Sequence, residues 1–82
     1  MKQVKIYTTP TCSYCKMVKA FFADNNIKYE EYNVAADAAR RQEMVDQSGQ
    51  LGVPVIAITD ETGKEETIIG FDQPALASAL GF

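Results

Sequence analysis

Cys12 and Cys15 are the only cysteines in the 82-residue chain, and the segment Thr11-Cys12-Ser13-Tyr14-Cys15 sets them two residues apart. Thiols at this spacing can close a disulfide and open it again. Exchange runs through the thiolate, and a free cysteine ionises near pH ~8.5, so the pair needs surroundings that favour an anion. Two other chemistries compete for the same residues. A zinc site takes four ligands, and this chain has two Cys and no His. A static structural disulfide at this spacing would close a very short loop and restrain the unfolded chain little. Redox exchange is the chemistry the pair is best suited to.

The flanking sequence explains how one thiol would be activated and the other held back. Residues 3–8 read as a strand, with Val4 and Ile6 alternating with Lys5 and Tyr7. Pro10 lacks an N–H and keeps Thr9 out of a helix, so the chain turns there. A helix is predicted over 12–25, with Thr11 as its cap. Cys12 then meets the unpaired N–H groups of Ser13, Tyr14 and Cys15 and the positive end of the helix dipole. Cys15 falls one turn further in, on an apolar face with Val18 and Phe22, flanked by Tyr14, Met17 and Phe21. Shielding keeps its pKa higher. Cys12 is therefore the expected attacker, and Cys15 the thiol that resolves the mixed disulfide.

The rest of the chain supplies a frame. Asn25-Asn26 ends the first helix. A second strand is expected over 27–34, with an imperfect period and an open register. A second helix over 35–48 has a thin apolar face of Ala38, the stem of Arg41, Met44 and Val45, and stops at Gly49. Gln50-Leu51-Gly52 forms a loop. A third strand over 53–59 carries Pro54 at its mouth, where a missing donor is tolerated. The turn Asp60-Glu61-Thr62-Gly63 leads to a fourth strand over 64–69, a hairpin. Gly70-Phe71-Asp72 opens a short last helix capped by Asp72, with Pro74 in its first turn and Ala75, Leu76, Ala79 and Leu80 facing inward. The order is β-α-β-α-β-β-α. Its first β-α-β is a right-handed crossover between parallel strands. The expected fold is α/β, a four-stranded mixed sheet with helices on both faces, forming one domain over 1–82.

Composition narrows the function classes. Apolar content of 46% with 23% charged residues is that of a soluble globular protein. The net charge is −3, and the only adjacent basic pair is Arg40-Arg41, so the basic patch that nucleic-acid binding needs is missing. No apolar run approaches the ~18–20 residues of a membrane span. Met1-Lys2-Gln3-Val4-Lys5 lacks the apolar stretch of a signal peptide and leads directly into a strand. The expectation is a cytoplasmic protein, where a lone CxxC is more often catalytic than structural.

The sequence resembles glutaredoxins and the closely related NrdH-type redoxins, short members of the thioredoxin fold, along essentially its whole length. Three motifs carry the resemblance: Tyr7-Thr8-Thr9-Pro10-Thr11-Cys12-Ser13-Tyr14-Cys15, Ser48-Gly49-Gln50-Leu51-Gly52-Val53-Pro54 and Ile69-Gly70-Phe71-Asp72. It implies a dithiol–disulfide oxidoreductase of electron transport and cell redox homeostasis, which reduces protein or glutathione mixed disulfides. Glutathione is the implied co-substrate, and no cofactor or metal is obligatory. It implies that Val53-Pro54 is a cis peptide bond facing the cysteines, not a trans proline that merely starts a strand. The backbone of Val53 would then pair with an extended substrate. It implies that Gly70, Phe71 and Asp72 hold the γ-glutamyl end of glutathione, since free N–H groups at a helix start suit a carboxylate. Gly70 would allow close backbone approach. Asp72 would receive the amino group, as well as or instead of capping the helix. Tyr14 stands where glutaredoxins keep a Tyr lining the site, the alternative being surface packing. Lys16 either supports the anion or is a solvated helix residue.

Departures from the family pattern set the alternatives. Thr9 stands where many glutaredoxins carry a basic residue, as do Gln47 and Gln50 at the end of the second helix. Ile69-Gly70-Phe71 is closer to NrdH-type redoxins. The electron donor is therefore glutathione or a thioredoxin-reductase-type flavoprotein. The targets are disulfide-containing proteins, ribonucleotide reductase among the candidates, met by a monomer. Ser13 replaces the commoner Pro, and the resemblance then implies a different class of function, an iron–sulfur cluster bridged in a dimer by Cys12 and glutathione. One chain lacks the four thiolates a cluster needs. A third class is a redox-inert binding domain that keeps the fold.

Overall fold

The computed structural model describes residues 2–50 and 52–81. Leu51, in the loop expected before the third strand, lies outside them. The elements are β1 (Gln3–Thr8), α1 (Ser13–Asp24), β2 (Glu30–Asn33), α2 (Ala38–Ser48), β3 (Val55–Thr59), β4 (Glu65–Ile69) and α3 (Gln73–Leu80). Their order is the expected one. The sheet runs β2-β1-β3-β4. β1 is parallel to β2 and antiparallel to β3, and β3 is antiparallel to β4. Among the described residues no helix is long and apolar enough to cross a membrane.

Successive side chains of a strand point to opposite faces, so the central strands build two cores. Val4, Ile6, Ile56 and Ile58 pack with Val18 and Phe22 of α1 and Leu76 of α3. On the other face Tyr7, Val55 and Ala57 pack with Val34 and with Met44 of α2. The alternation in β1 groups Tyr7 with Lys5, yet Tyr7 is fully buried, because α2 covers the face it points to.

Three elements start two or more residues later than expected. β2 pairs with β1 only from Glu30 onward. Ile27 and Tyr29 pack instead against the α1/α3 core, and the Ile27 N–H bonds back to the Phe22 carbonyl. α2 starts at Ala38, not residue 35, because polar side chains turn the chain first. Asn33 Oδ1 accepts from the Ala35 N–H at 3.0 Å, and Asp37 caps the helix by accepting from the Arg40 N–H at 3.0 Å. β3 begins at Val55.

The inner face of α2 is also corrected. Met44 is buried as expected, but Ala38 and Arg41 are exposed, and Arg40 and Glu43 turn inward. The Arg40 guanidinium lies 4.0 Å from the Tyr32 ring centroid and 2.9 Å from Glu43 Oε2. The Tyr7 hydroxyl donates to Glu43 Oε1 at 2.9 Å and lies 3.3 Å from Gln47 Oε1. The Arg40–Glu43 pair is an i,i+3 contact within α2, but Tyr7 and Tyr32, which turn both residues inward, belong to strands, so the spacing within α2 does not reveal the inner face.

Burial and the Glu43 carboxylate push the Tyr7 phenol well above its ordinary value of 10.0. The neutral phenol is the form that folding favours. Its stabilising share is complete below the unfolded value and is lost as pH rises toward the folded one, because the unfolded phenol ionises first. Tyr7→Phe should cost about 1–2 kcal/mol at neutral pH through the lost hydrogen bond. It should also flatten the fall in stability above about pH 10, read from urea midpoints. An unchanged alkaline slope would show that Tyr7 does not carry this dependence.

Candidate functional site

The three motifs meet at one end of the sheet. Tyr7 near the end of β1 stands opposite Val55 at the start of β3, and Val55 stands opposite Ile69 at the end of β4. The chain leaving β1 turns at Pro10 and reaches Cys12. The Cys12 N–H bonds to the Thr9 carbonyl at 3.3 Å, and α1 begins at Ser13.

That turn moves the cap by one residue. Thr11 is exposed, and Cys12 itself is the N-cap, with an extended backbone (φ −84°, ψ 110°). Its Sγ accepts from the Cys15 N–H at 3.1 Å. Capping needs an acceptor that reaches an unpaired N–H in the first turn, and after the Thr9–Cys12 turn the residue so placed is the cysteine. Cys12 and Cys15 form a disulfide with a Cα–Cα separation of 5.3 Å. Their burial differs: Cys15 is 1% exposed, whereas Cys12 is half-buried. The Cys12 sulfur of the oxidised pair stands in for the thiolate of the reduced one, already in line with a backbone donor.

Val53-Pro54 is cis, Pro54 is buried and Val53 is half-buried. The Pro54 carbonyl accepts from the Gly70 N–H at 2.9 Å, which ties the second motif to the third. Gly70 has φ 78°, and a β-carbon there would meet nothing within 4 Å. Its requirement is the left-handed backbone, which glycine adopts without strain. Phe71 is half-buried, edge-on to Phe21 at 6.4 Å. Asp72 caps α3, accepting from the Ala75 N–H at 3.2 Å. Tyr14 is 61% exposed. Gln47 is turned toward Tyr7.

Beside the disulfide lies a cleft of about 140 Å³, lined among others by Thr8, Cys12, Cys15, Lys16, Lys19 and Glu31. Lys16 thus joins the cysteines. Thr8, Lys19 and Glu31 were not foreseen. Thr8 is 2% exposed and donates to Glu31 Oε2 at 2.8 Å, and Lys19 Nζ approaches the same oxygen at 3.0 Å. Lys19 and the Thr8 hydroxyl hold the Glu31 carboxyl below its ordinary range. A sequence signal did exist: Thr8 is a polar residue continuing the apolar Val4/Ile6 face of its strand, and Glu30-Glu31 in a strand must send one carboxylate to each face. A larger hollow of about 510 Å³ lies at the far end of β1 and α1, around Lys2, Asn25, Asn26 and Leu80, and contains no thiol.

A sequence model of the glutaredoxin family matches residues 4–62. A glutaredoxin-like 8.6 kDa protein in the rubredoxin operon of Clostridium pasteurianum is 43% identical over 70 residues, covering 85% of this chain and 87% of its own. Glutaredoxin 3 of Escherichia coli K12 is 40% identical over 58 residues, covering 71% of this chain and 70% of its own. Among solved structures, the thioredoxin-like protein BC3987 aligns with a TM-score of 0.81 at 32% identity, over 94% of this chain and 99% of that one. Methanoredoxin of Methanosarcina acetivorans shares the fold, with a TM-score of 0.84 at 22% identity over 98% and 85% of the two chains.

Two measurements follow from the geometry. In the reduced protein Cys12 should be alkylated faster than Cys15 at neutral pH and should titrate lower; a faster Cys15 would contradict the cap geometry. Asp72→Ala should lower the thermal midpoint by about 4–8 °C through the lost cap, and Asp72→Asn should restore most of it.

Proposed function

The chain belongs to the glutaredoxin family and is a thiol-disulfide oxidoreductase, and on that premise we propose that Cys12 attacks and Cys15 resolves. One observation carries the assignment: Cys12 Sγ accepts a backbone N–H at the start of α1, while Cys15 is shielded on its inner face. Cys12 as thiolate attacks one sulfur of a target disulfide, forming a mixed disulfide and releasing the other sulfur. Cys15 then attacks Cys12, re-forming the Cys12–Cys15 bond, and the target leaves with both electrons. A donor thiol pair reduces the enzyme again.

Protein and glutathione mixed disulfides are the proposed substrates, with glutathione as the donor. The backbone of Val53 beside Pro54 pairs with the substrate chain. Tyr14, Lys16, Gly70, Phe71 and Asp72 bind the glutathionyl group. Support for this placement is the shared end of the sheet, the Gly70–Pro54 hydrogen bond and the exposed position of Asp72 at the start of α3. The protein is proposed to act as one domain and as a monomer, in the cytoplasm, where a reducing thiol pool keeps such a pair cycling.

Cys12→Ser should reduce disulfide turnover to the uncatalysed level, whereas Cys15→Ser should accumulate a mixed disulfide visible by mass. Equal activity of Cys12→Ser and the parent would end the assignment. The donor is tested separately, by coupling turnover to glutathione with glutathione reductase and, in parallel, to a thioredoxin-reductase-type flavoprotein. Turnover with the flavoprotein alone would replace glutathione as donor and leave the exchange chemistry standing.

A further inference from the structure

We propose that Ile69 selects among disulfide targets, favouring a peptide that carries an apolar side chain next to the cysteine under attack. This deepens the exchange reading above and rests on it, including the pairing of the substrate chain with the backbone of Val53.

Tyr7 stands opposite Val55, and Val55 opposite Ile69, so the three form one row across the end of the sheet. Residues directly opposite in antiparallel strands share a face, with β-carbons about 4.5–5.5 Å apart. The cluster that α2 completes takes in Tyr7 and Val55 but not Ile69, which is left 49% exposed. The next residue, Gly70, donates its N–H to the Pro54 carbonyl, so the end of β4 is tied to the cis peptide. Val53, on the other side of that peptide, packs against the same cluster and is half-buried. A single exposed apolar side chain is ordinary on a protein surface, but Ile69 is set apart by its company. Among the described residues the other large apolar side chains left exposed are Tyr14 and Met17, both in the first two turns of the helix that Cys12 caps.

An extended peptide sends successive side chains to opposite sides. A target cysteine whose sulfur meets Cys12 points to the side of the sheet that carries α1, so its two neighbours point to the side that carries α2. There they meet Val53 and Ile69. An apolar neighbour covers the open half of Ile69 and leaves water itself, which is favourable. A polar neighbour gives up water and gains no partner, which is not. The contact adds nothing to the covalent step. The Cys12 thiolate attacks the peptide sulfur, the bond from that sulfur to its partner sulfur breaks, and the electron pair departs with the leaving thiolate. Ile69 acts on which peptide is held while this happens.

Two short peptides test this, one with leucine on both sides of its cysteine and one with serine. Each carries a chromogenic aryl thiol in disulfide linkage to that cysteine. Attack by the reduced protein on the peptide sulfur releases the aryl thiolate, so the rate is read without an electron donor. Each second-order rate is divided by that of a small dithiol with the same peptide. On this scale the parent should favour the leucine peptide by about fivefold or more. Ile69→Ser should bring the ratio near one, chiefly by slowing the leucine peptide, and Ile69→Val should keep most of it. Alkylation of Cys12 should run at one rate in all three proteins. A ratio near one in the parent would overturn the proposal. So would an Ile69→Ser protein that keeps the parent's ratio, or one that slows both peptides alike, the mark of a structural role. A parent that releases aryl thiolate from neither peptide would overturn the exchange reading itself, and this inference with it.

Discussion

A helix begins with backbone N–H groups that no carbonyl of its own can satisfy. In this protein a sulfur satisfies one of them, and much of the structure serves that contact. β1 must end beside β2 and β3, so that the chain leaves the middle of the sheet and not its edge. Pro10 must break the strand, and the Thr9–Cys12 turn must set Cys12 at the cap. α1 must then bury Val18 and Phe22 on the sheet, which carries Cys15 out of solvent with them. One packing decision therefore makes two identical side chains chemically unlike.

The sheet around the site is built on both faces, and each face contributes differently. The α1/α3 face is almost wholly apolar, a core that fixes the helix bearing the thiols. The α2 face mixes Met44, Val55 and Val34 with the Tyr7–Glu43–Arg40–Tyr32 contacts. Buried polar groups of this kind are tolerated because each finds its partner. They specify how α2 lies on the sheet more than they drive it there.

What the sequence revealed follows from the range over which each feature is encoded. The order of elements was legible because its punctuation is local: Pro10, Asn25-Asn26, Gly49 and Asp72 each act within a few residues. The cysteine pair was legible because nothing else in the chain competes for its chemistry. The cap was misplaced by one residue, since the choice between Thr11 and Cys12 depends on how the Pro10 turn closes. Arg40 was missed in favour of Arg41 because the group that turns it inward, the Tyr32 ring, belongs to a strand under the helix, and the i,i+3 pairing with Glu43 does not by itself say which face is inner. The Thr8–Glu31–Lys19 group draws one residue from each of three elements. It exists only once β1 and β2 adopt their parallel register, which no periodicity encodes.

The thin attachment of α2 has a consequence for motion. Met44 is its one fully buried residue, and the rest of its hold on the sheet is polar and partly wet. Segments with few buried apolar contacts open locally at a lower free energy than the global unfolding of the domain. α2 is thus the part of this molecule whose amides should exchange with solvent ahead of those in β1 and β3. The chain leaving α2 runs on toward Val53 and Pro54, so a loosened helix would give the cis-proline segment some play, while α1 and the sulfur pair stay fixed on the opposite face of the sheet.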